Sequence, residues 1–130
     1  MPPEPPSARH ALLARIESMD PAELDMLPVG IITLALDGTI LRYNRTEAGH
    51  SRRHAAAQIG RNFFREVAPC TEDPLFEGRF RELARPEGHG TMEFDYTFAF
   101  PWGSVRVLIS FLRAPGAPRI QIVVTWPAQP

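Results

Sequence analysis

The chain contains a single cysteine, Cys70, in the segment NFFREVAPCTEDP at residues 62–74. Its thiolate is a nucleophile that can form a thioester, where serine would give an ester with different electronic properties. One cysteine excludes a disulfide within the chain and a zinc site built from several cysteines. Three interpretations stay open at this point: a small buried hydrophobic residue, a reactive thiol, or the attachment point of a covalently bound group.

A thiol enzyme or a redox sensor would need a base beside Cys70, usually a histidine, and an exposed electropositive setting. The histidines match no such motif. We expect His50 and His54 to be solvated loop residues rather than metal ligands, and His10 and His89 are isolated. The apolar segment VAPC predicts that the thiol points inward, and its proline fixes the local φ, which would hold an attached group rigidly.

Two short helices are predicted at the start of the chain. Ser7 can cap a helix through ARHALLARIESMD, whose apolar residues recur at helical spacing, and Asp20 can cap a second one in PAELDML. Isolated helices of this length are marginal in water. We therefore expect both to dock on a core, from which they can also detach at low cost.

A β-hairpin is predicted around Asp37 and Gly38, because glycine tolerates the positive φ that tight turns require. Short helical pieces are expected over residues 44–68. The segment PLFEGRFRELAR at residues 74–85 predicts a longer amphipathic helix. Its inward face would be formed by Leu75, Phe76, Phe80 and Leu83.

Three strands are predicted after the turn PEGHG, in TMEFDYTFAF, SVRVLISFL and RIQIVVTW. The large side chains that alternate with smaller or polar ones in the first strand are Met92, Phe94, Tyr96, Phe98 and Phe100. This order of elements favours an α+β fold, with a central antiparallel five-stranded sheet flanked by helices and an N-terminal helical cap. A ligand pocket would lie between the sheet and the helices.

The composition is that of an ordinary soluble globular domain, with 44% hydrophobic and 22% charged residues and a formal net charge of −1. Such a charge argues against nucleic acid or an anionic membrane as the partner. Neither a membrane-spanning apolar run nor a signal peptide is recognisable, so we expect a cytoplasmic protein. The predicted divisions are a cap over residues 1–27, a core over residues 28–126 and a tail over residues 127–130.

The order of elements resembles that of a PAS domain, and GTILRYNRTEAGHSRRHAAAQIGRNFFREVAPCTEDPLFEGRF resembles the photoactive yellow proteins more specifically. The combination of YN-x-x-E, a hydroxyl residue, an arginine and NFF-x-x-VAPCT carries this resemblance, which runs over residues 15–126. The PAS fold alone would say little about function. The family resemblance implies a blue-light photoreceptor, not an enzyme, with p-coumaric acid (4-hydroxycinnamic acid) attached as a thioester to a cysteine.

The resemblance places the thioester on Cys70 and the two partners of the ligand's phenolate on Tyr43 and Glu47. It makes Ser51 the hydroxyl residue that supports the tyrosine, and Arg53 the arginine over the pocket. The neighbouring Arg52 would take that place if the alignment slipped by one residue. The aromatic residues that it brings to the site are Phe63, paired with Phe64, together with Phe98, Phe100 and Trp102.

These residue types suit the chemistry that the resemblance implies. A free phenol has a pKa of about 10, so the blue-absorbing phenolate needs stabilisation at neutral pH, and two short hydrogen bonds can offset its burial. Tyr43 offers an O–H, and Glu47 offers another when protonated, which burial and a neighbouring anion both favour. Their i, i+4 spacing puts both on one face of a helical turn.

The resemblance further implies a photocycle. Blue light isomerises the ligand from trans to cis, Glu47 gives it a proton, and an unpaired charge remains in the interior, which is a costly state. We expect partial unfolding of residues 1–27 to relieve it, followed by thermal return in the dark. An unidentified downstream signalling protein would bind the exposed surface, and the chain would be a monomer or a weak dimer.

Two positions depart from what is common in the family. Phe100 stands where a tyrosine is common, and Trp102 where a methionine is associated with fast thermal return; the loop PWGS also looks one residue shorter. We predict slower dark recovery than in methionine-bearing relatives, which Trp102→Met would test. Two alternative functions stay open: a PAS ligand-binding or dimerisation module without a chromophore, and a redox sensor that uses Cys70.

Overall fold

An antiparallel sheet forms the centre of the computed structural model, which describes residue 11 and residues 15–128. Its strands are β1 (Gly30–Ala35), β2 (Ile40–Tyr43), β3 (Gly90–Phe100), β4 (Gly103–Arg113) and β5 (Arg119–Thr125). The five strands lie in the order β2-β1-β5-β4-β3, so the last strand joins the two hairpins at the centre of the sheet. The predicted antiparallel five-stranded sheet is therefore confirmed.

Both hairpins follow from local turn chemistry. In the β1–β2 turn, Gly38 has a φ of +93°, and Asp37 accepts a hydrogen bond from the Thr39 N–H at 2.9 Å. At the other hairpin Phe100 pairs with Gly103, so only two residues form the turn between β3 and β4. This tight turn lies in the PWGS loop, and it leaves Phe100 at the end of β3.

Short helical segments cover the sheet. They are α1 (Pro21–Asp25), α2 (Arg45–Ser51), α3 (Ala55–Gln58) and α4 (Arg79–Leu83), with π-helical turns at Phe63–Val67 and Pro74–Gly78 and a 3₁₀ turn at Pro69–Thr71. The predicted Asp20 cap is confirmed, because its side chain accepts from the Glu23 N–H while Glu23 accepts from the Asp20 N–H. No helix in the described part of the chain is long and apolar enough to cross a membrane.

The amphipathic helix predicted over residues 74–85 is only partly correct. Its first turn is a π turn closed by a hydrogen bond from the Gly78 N–H to the Asp73 carbonyl, and the α-helix ends at Leu83. The wider turn changes the angular spacing of the side chains. Phe76, like Phe80 and Leu83, is buried as predicted, but Leu75 is 56% exposed.

The core has two parts, one on each face of the sheet. The larger lies between the sheet and the helices, and Phe76 contacts rings from β3, β4 and the Phe63–Val67 turn there. The smaller lies on the opposite face, where Ile16, Met19 and Leu24 pack on Ile31 and Val123. Alternation along the strands explains the division, since Ile32 and Ile122 belong to the larger part.

The N-terminal segment is also held by polar contacts. The Arg42 guanidinium donates to the carbonyls of Met19 at 2.8 Å and Ile16 at 3.2 Å, and to side-chain oxygens of Thr33 and Gln121 at 2.9 Å each. Residues 16–27 are thereby docked on the outer face of the sheet, as expected for a cap. The predicted Ser7 cap and the first turns of its helix, including Leu12 and Leu13, lie outside the described residues.

Candidate functional site

A cavity of about 230 Å³ lies between β3, α2 and the segment that leads to the cysteine. All the candidate site residues except Trp102 line it, namely Tyr43, Glu47, Ser51, Arg53, Phe63, Cys70, Phe98 and Phe100. Val67, Ala68, Pro69, Ala99 and Pro101 complete the wall. A larger groove of about 580 Å³ runs over the outer side of α1, α2 and α3 and does not include the cysteine. The smaller cavity is therefore the candidate site.

The start of α2 is fixed by Asn44. Its Oδ1 accepts from the backbone N–H groups of Glu47 at 3.0 Å and Ile31 at 2.8 Å. Its Nδ2 donates to the carbonyls of Leu24 at 2.8 Å and Val29 at 3.0 Å. This cap ties the helix that carries Glu47 to the neighbouring strand and to the N-terminal segment.

Tyr43 begins a chain of hydrogen bonds along α2. Its Oη lies 2.6 Å from Oγ of Ser51, and Ser51 donates to the Glu47 carbonyl at 2.7 Å. Since a serine hydroxyl has one proton, Tyr43 is the donor to Ser51 in this arrangement. Burial, and then the charge of Glu47, raise the pKa of Tyr43 above its ordinary value, so it is a neutral phenol that can donate.

The Glu47 carboxyl is buried in the wall of the cavity. Burial raises its pKa to about 7, opposed by a hydrogen bond from Trp126 and by the charge of Arg53. The Trp126 Nε1–H donates to Oε1 at 2.8 Å. The same oxygen lies against Gly30, where a Cβ would come within 2.0 Å of it. Glu47 is thus poised to hold a proton near neutral pH.

Trp126 is a site residue that the sequence reasoning missed. It follows β5, and its ring lies parallel to that of His50, with centroids 4.8 Å apart and planes 8° apart. Ring centroids of Phe98 and Phe100 lie 5.7 and 6.0 Å from it. Continuing the inward alternation of β5 by two residues would have predicted this position.

The two histidines near the site were expected to be solvated loop residues. His50 instead belongs to α2 and is half-buried under Trp126, so that prediction was wrong for it. His54 is exposed and precedes α3, as expected. Among the residues that the structure describes, no three His, Cys, Asp or Glu side chains gather as a metal site.

Cys70 lies at the mouth of the cavity and is exposed, which corrects the prediction that it points inward. The reason is the 3₁₀ turn Pro69–Thr71, which buries Thr71 completely and turns its neighbour outward. Tyr96 supports this turn from below, with its Oη 2.8 Å from the Cys70 carbonyl and 2.5 Å from Oδ2 of Asp73. The cysteine is therefore open to reagents but held in place.

The two adjacent arginines take different roles because Arg52 ends α2 in the left-handed conformation, with a φ of 57°. Arg53 lines the cavity and donates to the Val67 carbonyl at 2.5 Å, which links α2 to the Phe63–Val67 turn. The Arg52 guanidinium instead lies 4.2 Å above the ring of Trp102. Trp102 is 42% exposed and stacks on Phe100 outside the cavity lining, at 4.6 Å.

The donor set of the cavity suits an elongated aromatic acyl ligand with a phenol group. The walls supply aromatic and aliphatic side chains, Tyr43 and Glu47 supply hydrogen-bonding groups, and Cys70 supplies the one thiol. A phenolate in contact with Tyr43 and a protonated Glu47 would have two donors. An acyl carbon at the mouth would reach a thiol that is already exposed.

The chain is similar to known photoactive yellow proteins in sequence and in structure. The chain is 39% identical over 103 residues to photoactive yellow protein from Cereibacter sphaeroides, covering 79% of this chain and 82% of that protein. It resembles the crystal structure of the photoactive yellow protein domain from the sensor histidine kinase Ppr of Rhodospirillum centenum, with 45% identity and a TM-score of 0.79, covering 85% of this chain and 96% of that one.

A more distant likeness shows the fold. The crystal structure of the PAS domain of an HTR-like protein from Haloarcula marismortui matches with a TM-score of 0.62 at 18% identity, covering 88% of this chain and 100% of that one. The expected PAS fold is thereby confirmed. No family model matches the chain.

Proposed function

The chain belongs to the photoactive yellow protein family, and on this premise we propose that it is a blue-light photoreceptor with p-coumaric acid bound as a thioester to Cys70. The observation that supports this most directly is the cavity that brings the one thiol together with Tyr43 and the buried Glu47. Membership of this family supports a light sensor with a PAS fold. The identity of the ligand and its linkage are our proposal.

The candidate site residues of the cavity have distinct roles in this function. The bound group would supply the absorption of blue light and the trans-to-cis isomerisation of its double bond. Tyr43 donates one hydrogen bond to the phenolate, and Ser51 then turns its proton from the Glu47 carbonyl to the Tyr43 oxygen. Glu47 donates a second bond and afterwards releases that proton. Arg53, Phe63, Phe98 and Phe100 exclude water from the ligand.

The signal would leave the site through the N-terminal cap. Asn44 bonds both the Glu47 N–H and the Leu24 carbonyl, so α2 and the N-terminal segment share one anchor. A charge on Glu47 in the interior is costly, and detachment of residues 1–27 lets water reach it. Thermal return of the proton then restores the dark state. Trp102 packs outside Phe100, where it would influence the rate of that return.

The remaining assignments are also proposals. The chain would act as a non-enzymatic sensor in the cytoplasm, as a monomer or a weak dimer, with an unidentified downstream signalling protein as its partner. Neither nucleic acid nor a membrane is required. The near-zero net charge is consistent with that role.

Reconstitution tests the proposed function. The purified apoprotein would be treated with p-coumaric anhydride, and its mass and absorption spectrum recorded before and after blue light. The Sγ–acyl bond forms as the acyl–oxygen bond of the anhydride breaks, with loss of the thiol proton and one p-coumarate. We expect a blue band that bleaches in light and returns in the dark, and that Cys70→Ser abolishes.

Two results would count against the proposal. A thioester without a blue band would mean that Tyr43 and Glu47 do not stabilise the phenolate. Absence of any acylation of Cys70 would favour a PAS module that binds another ligand. Because Cys70 is exposed, alkylation of the apoprotein by iodoacetamide is expected in either case and does not indicate a redox sensor.

A further inference from the structure

Glu47 has a hydrogen-bond donor on the side that faces β5. The indole Nε1–H of Trp126 lies 2.8 Å from Oε1, and the indole nitrogen can only donate. Oε1 must therefore accept in both protonation states of the carboxyl. When Glu47 is protonated, its proton has to lie on the other oxygen, Oε2.

The position of both partners is restricted by packing. Gly30 lies so close to Oε1 that even a methyl group would overlap it. The Trp126 ring is stacked on His50, one helical turn after Glu47, and contacts Phe98 and Phe100. The indole cannot swing away without breaking these contacts, and the carboxyl occupies the space that a side chain at position 30 would need.

Among the described residues, Tyr43, His50 and Arg53 are charged or titratable groups around Glu47. Arg53 acts on it from the end of α2, Tyr43 lies at the end of β2, and His50 lies between α2 and Trp126. Burial favours the neutral acid, whereas the Trp126 hydrogen bond and the charge of Arg53 favour the carboxylate. The indole is the group among these that bonds directly to a carboxylate oxygen.

We propose that Trp126 is a positioning residue: it holds Oε1 of Glu47, confines the transferable proton to Oε2, and stabilises the carboxylate that remains. Under the proposed function, Oε2 would release one proton to the oxygen of a bound phenolate, no electrons would be transferred, and Trp126 would keep its own proton. The carboxylate that remains in the interior would then keep its hydrogen bond from Trp126. This contact corrects the expectation from sequence that the charge would be unpaired. The transfer of this proton to a ligand rests on the proposed function. The hydrogen bond between Trp126 and Glu47 does not depend on it.

The test begins with the apoprotein, so that it does not depend on a ligand. The protonated carboxyl of Glu47 would be followed by infrared C=O absorption against pH, with Glu47→Gln to assign the band. Trp126→Phe keeps a ring and removes the N–H. Loss of the Trp126 hydrogen bond to the Glu47 carboxylate should raise the midpoint of the Glu47 titration by about one to two pH units.

Trp102→Phe is the matched control. It removes the other indole N–H of the chain, which bonds no part of Glu47, and it leaves a ring to stack on Phe100. We expect Glu47 to titrate with the same midpoint in Trp102→Phe as in the wild type. Equal midpoints in the wild type and Trp126→Phe would overturn the proposal.

A second measurement covers the case in which Trp126→Phe does not fold. The wild type has two indole N–H groups to observe by ¹⁵N NMR, and the signal that is lost in Trp102→Phe identifies the other as that of Trp126. The Trp126 signal should shift with the titration of Glu47 and lose that response in Glu47→Gln. An Nε1–H signal that is indifferent to pH and to Glu47→Gln would overturn the proposal.

Reconstitution separates the two hypotheses. An apoprotein that shows the Trp126 effect but never gives a blue band would refute the proposed function alone. A protein with a full photocycle, in which Trp126→Phe leaves both the Glu47 midpoint and the light-minus-dark carboxylate band unchanged, would refute the role of Trp126 alone.

Discussion

Four side chains and one glycine define the site at the scale of single residues. Tyr43 donates to Ser51, Ser51 donates to the backbone of Glu47, and the Glu47 carboxyl lies between Trp126 and Gly30. The Tyr43 and Ser51 hydroxyls and Oε1 of Glu47 each have a partner, which removes most of the penalty for burying them. These side chains are closely packed, so even the addition of one methyl group should change the stability of the protein or the titration of Glu47.

Gly30→Ala tests how closely Glu47 is held. The added Cβ would lie 2.0 Å from Oε1, so either the carboxyl or β1 must move. We expect a loss of about 1–3 kcal/mol in the free energy of unfolding, as for other overpacked interiors, and a shift of the Glu47 midpoint. Urea denaturation and infrared titration measure the two effects.

Gly49→Ala serves as its control. This glycine lies in α2, close to Glu47 in sequence, but its Cβ would meet no atom within 4 Å. Alanine is favoured over glycine in a helix by about 0.5–1 kcal/mol, so this variant should be as stable as the wild type or more stable. Similar losses in both variants would show that the contact with Glu47 is not the cause.

Docking of the N-terminal segment is the relevant feature at the scale of elements. A single side chain, Arg42, bonds the carbonyls of Ile16 and Met19 while it also bonds the polar pair on the outer face of the sheet. In the described part of this segment, Ile16, Met19 and Leu24 add apolar contacts with the sheet. A short segment held in this way opens more easily than the sheet beneath it.

Arg42→Gln should loosen this segment selectively. Loss of the charged hydrogen bonds is expected to speed amide exchange of residues 16–27 about tenfold or more, while exchange in β4 and β5 stays close to that of the wild type. Hydrogen–deuterium exchange with mass spectrometry measures both. Arg45→Gln, which alters an exposed arginine next to the same segment, is the control. Equal acceleration of amide exchange in both variants would show that Arg42 does not anchor this segment. Faster exchange in β4 and β5 as well would show that its effect is not local.

At the scale of the whole molecule, Glu47 couples stability to pH. Burial raises its pKa from about 4.5 to about 7 in the folded chain, so between these values the folded state binds more protons than the unfolded one. Stability therefore falls as pH rises through this window and levels off above it. The rise in the pKa of Glu47 corresponds to a loss of about 3 kcal/mol in the free energy of unfolding across this pH window.

Urea denaturation of the apoprotein between pH 4.5 and 8 checks this coupling. The wild type should lose stability across that range relative to Glu47→Gln, which carries no charge at any pH. A constant difference between the two proteins would mean that Glu47 is ionised or solvated throughout. Trp126→Phe should extend the loss to higher pH, because it removes a donor to the carboxylate and so raises the pKa of Glu47 further.

Much of the fold could be predicted because local backbone geometry leaves a pattern in the sequence. The alternation from Met92 to Phe100 predicted β3, Asp37 and Gly38 predicted a hairpin, and Asp20 predicted a helix cap. Leu75 was wrongly placed inside because a π turn and an α turn have almost the same sequence pattern but different angular spacing.

The sequence by itself determined which chemical groups the site could contain: one thiol, and a tyrosine and a glutamate four residues apart. The expectation that both lie on one helical turn was wrong, because Tyr43 ends β2 and only Glu47 belongs to α2. The tertiary structure alone decided that Cys70 lies at the cavity mouth, that Gly30 confines Glu47, and that Trp126 donates to it. These contacts join residues from different strands and turns. No local pattern encodes them, because they depend on how the sheet and helices pack together.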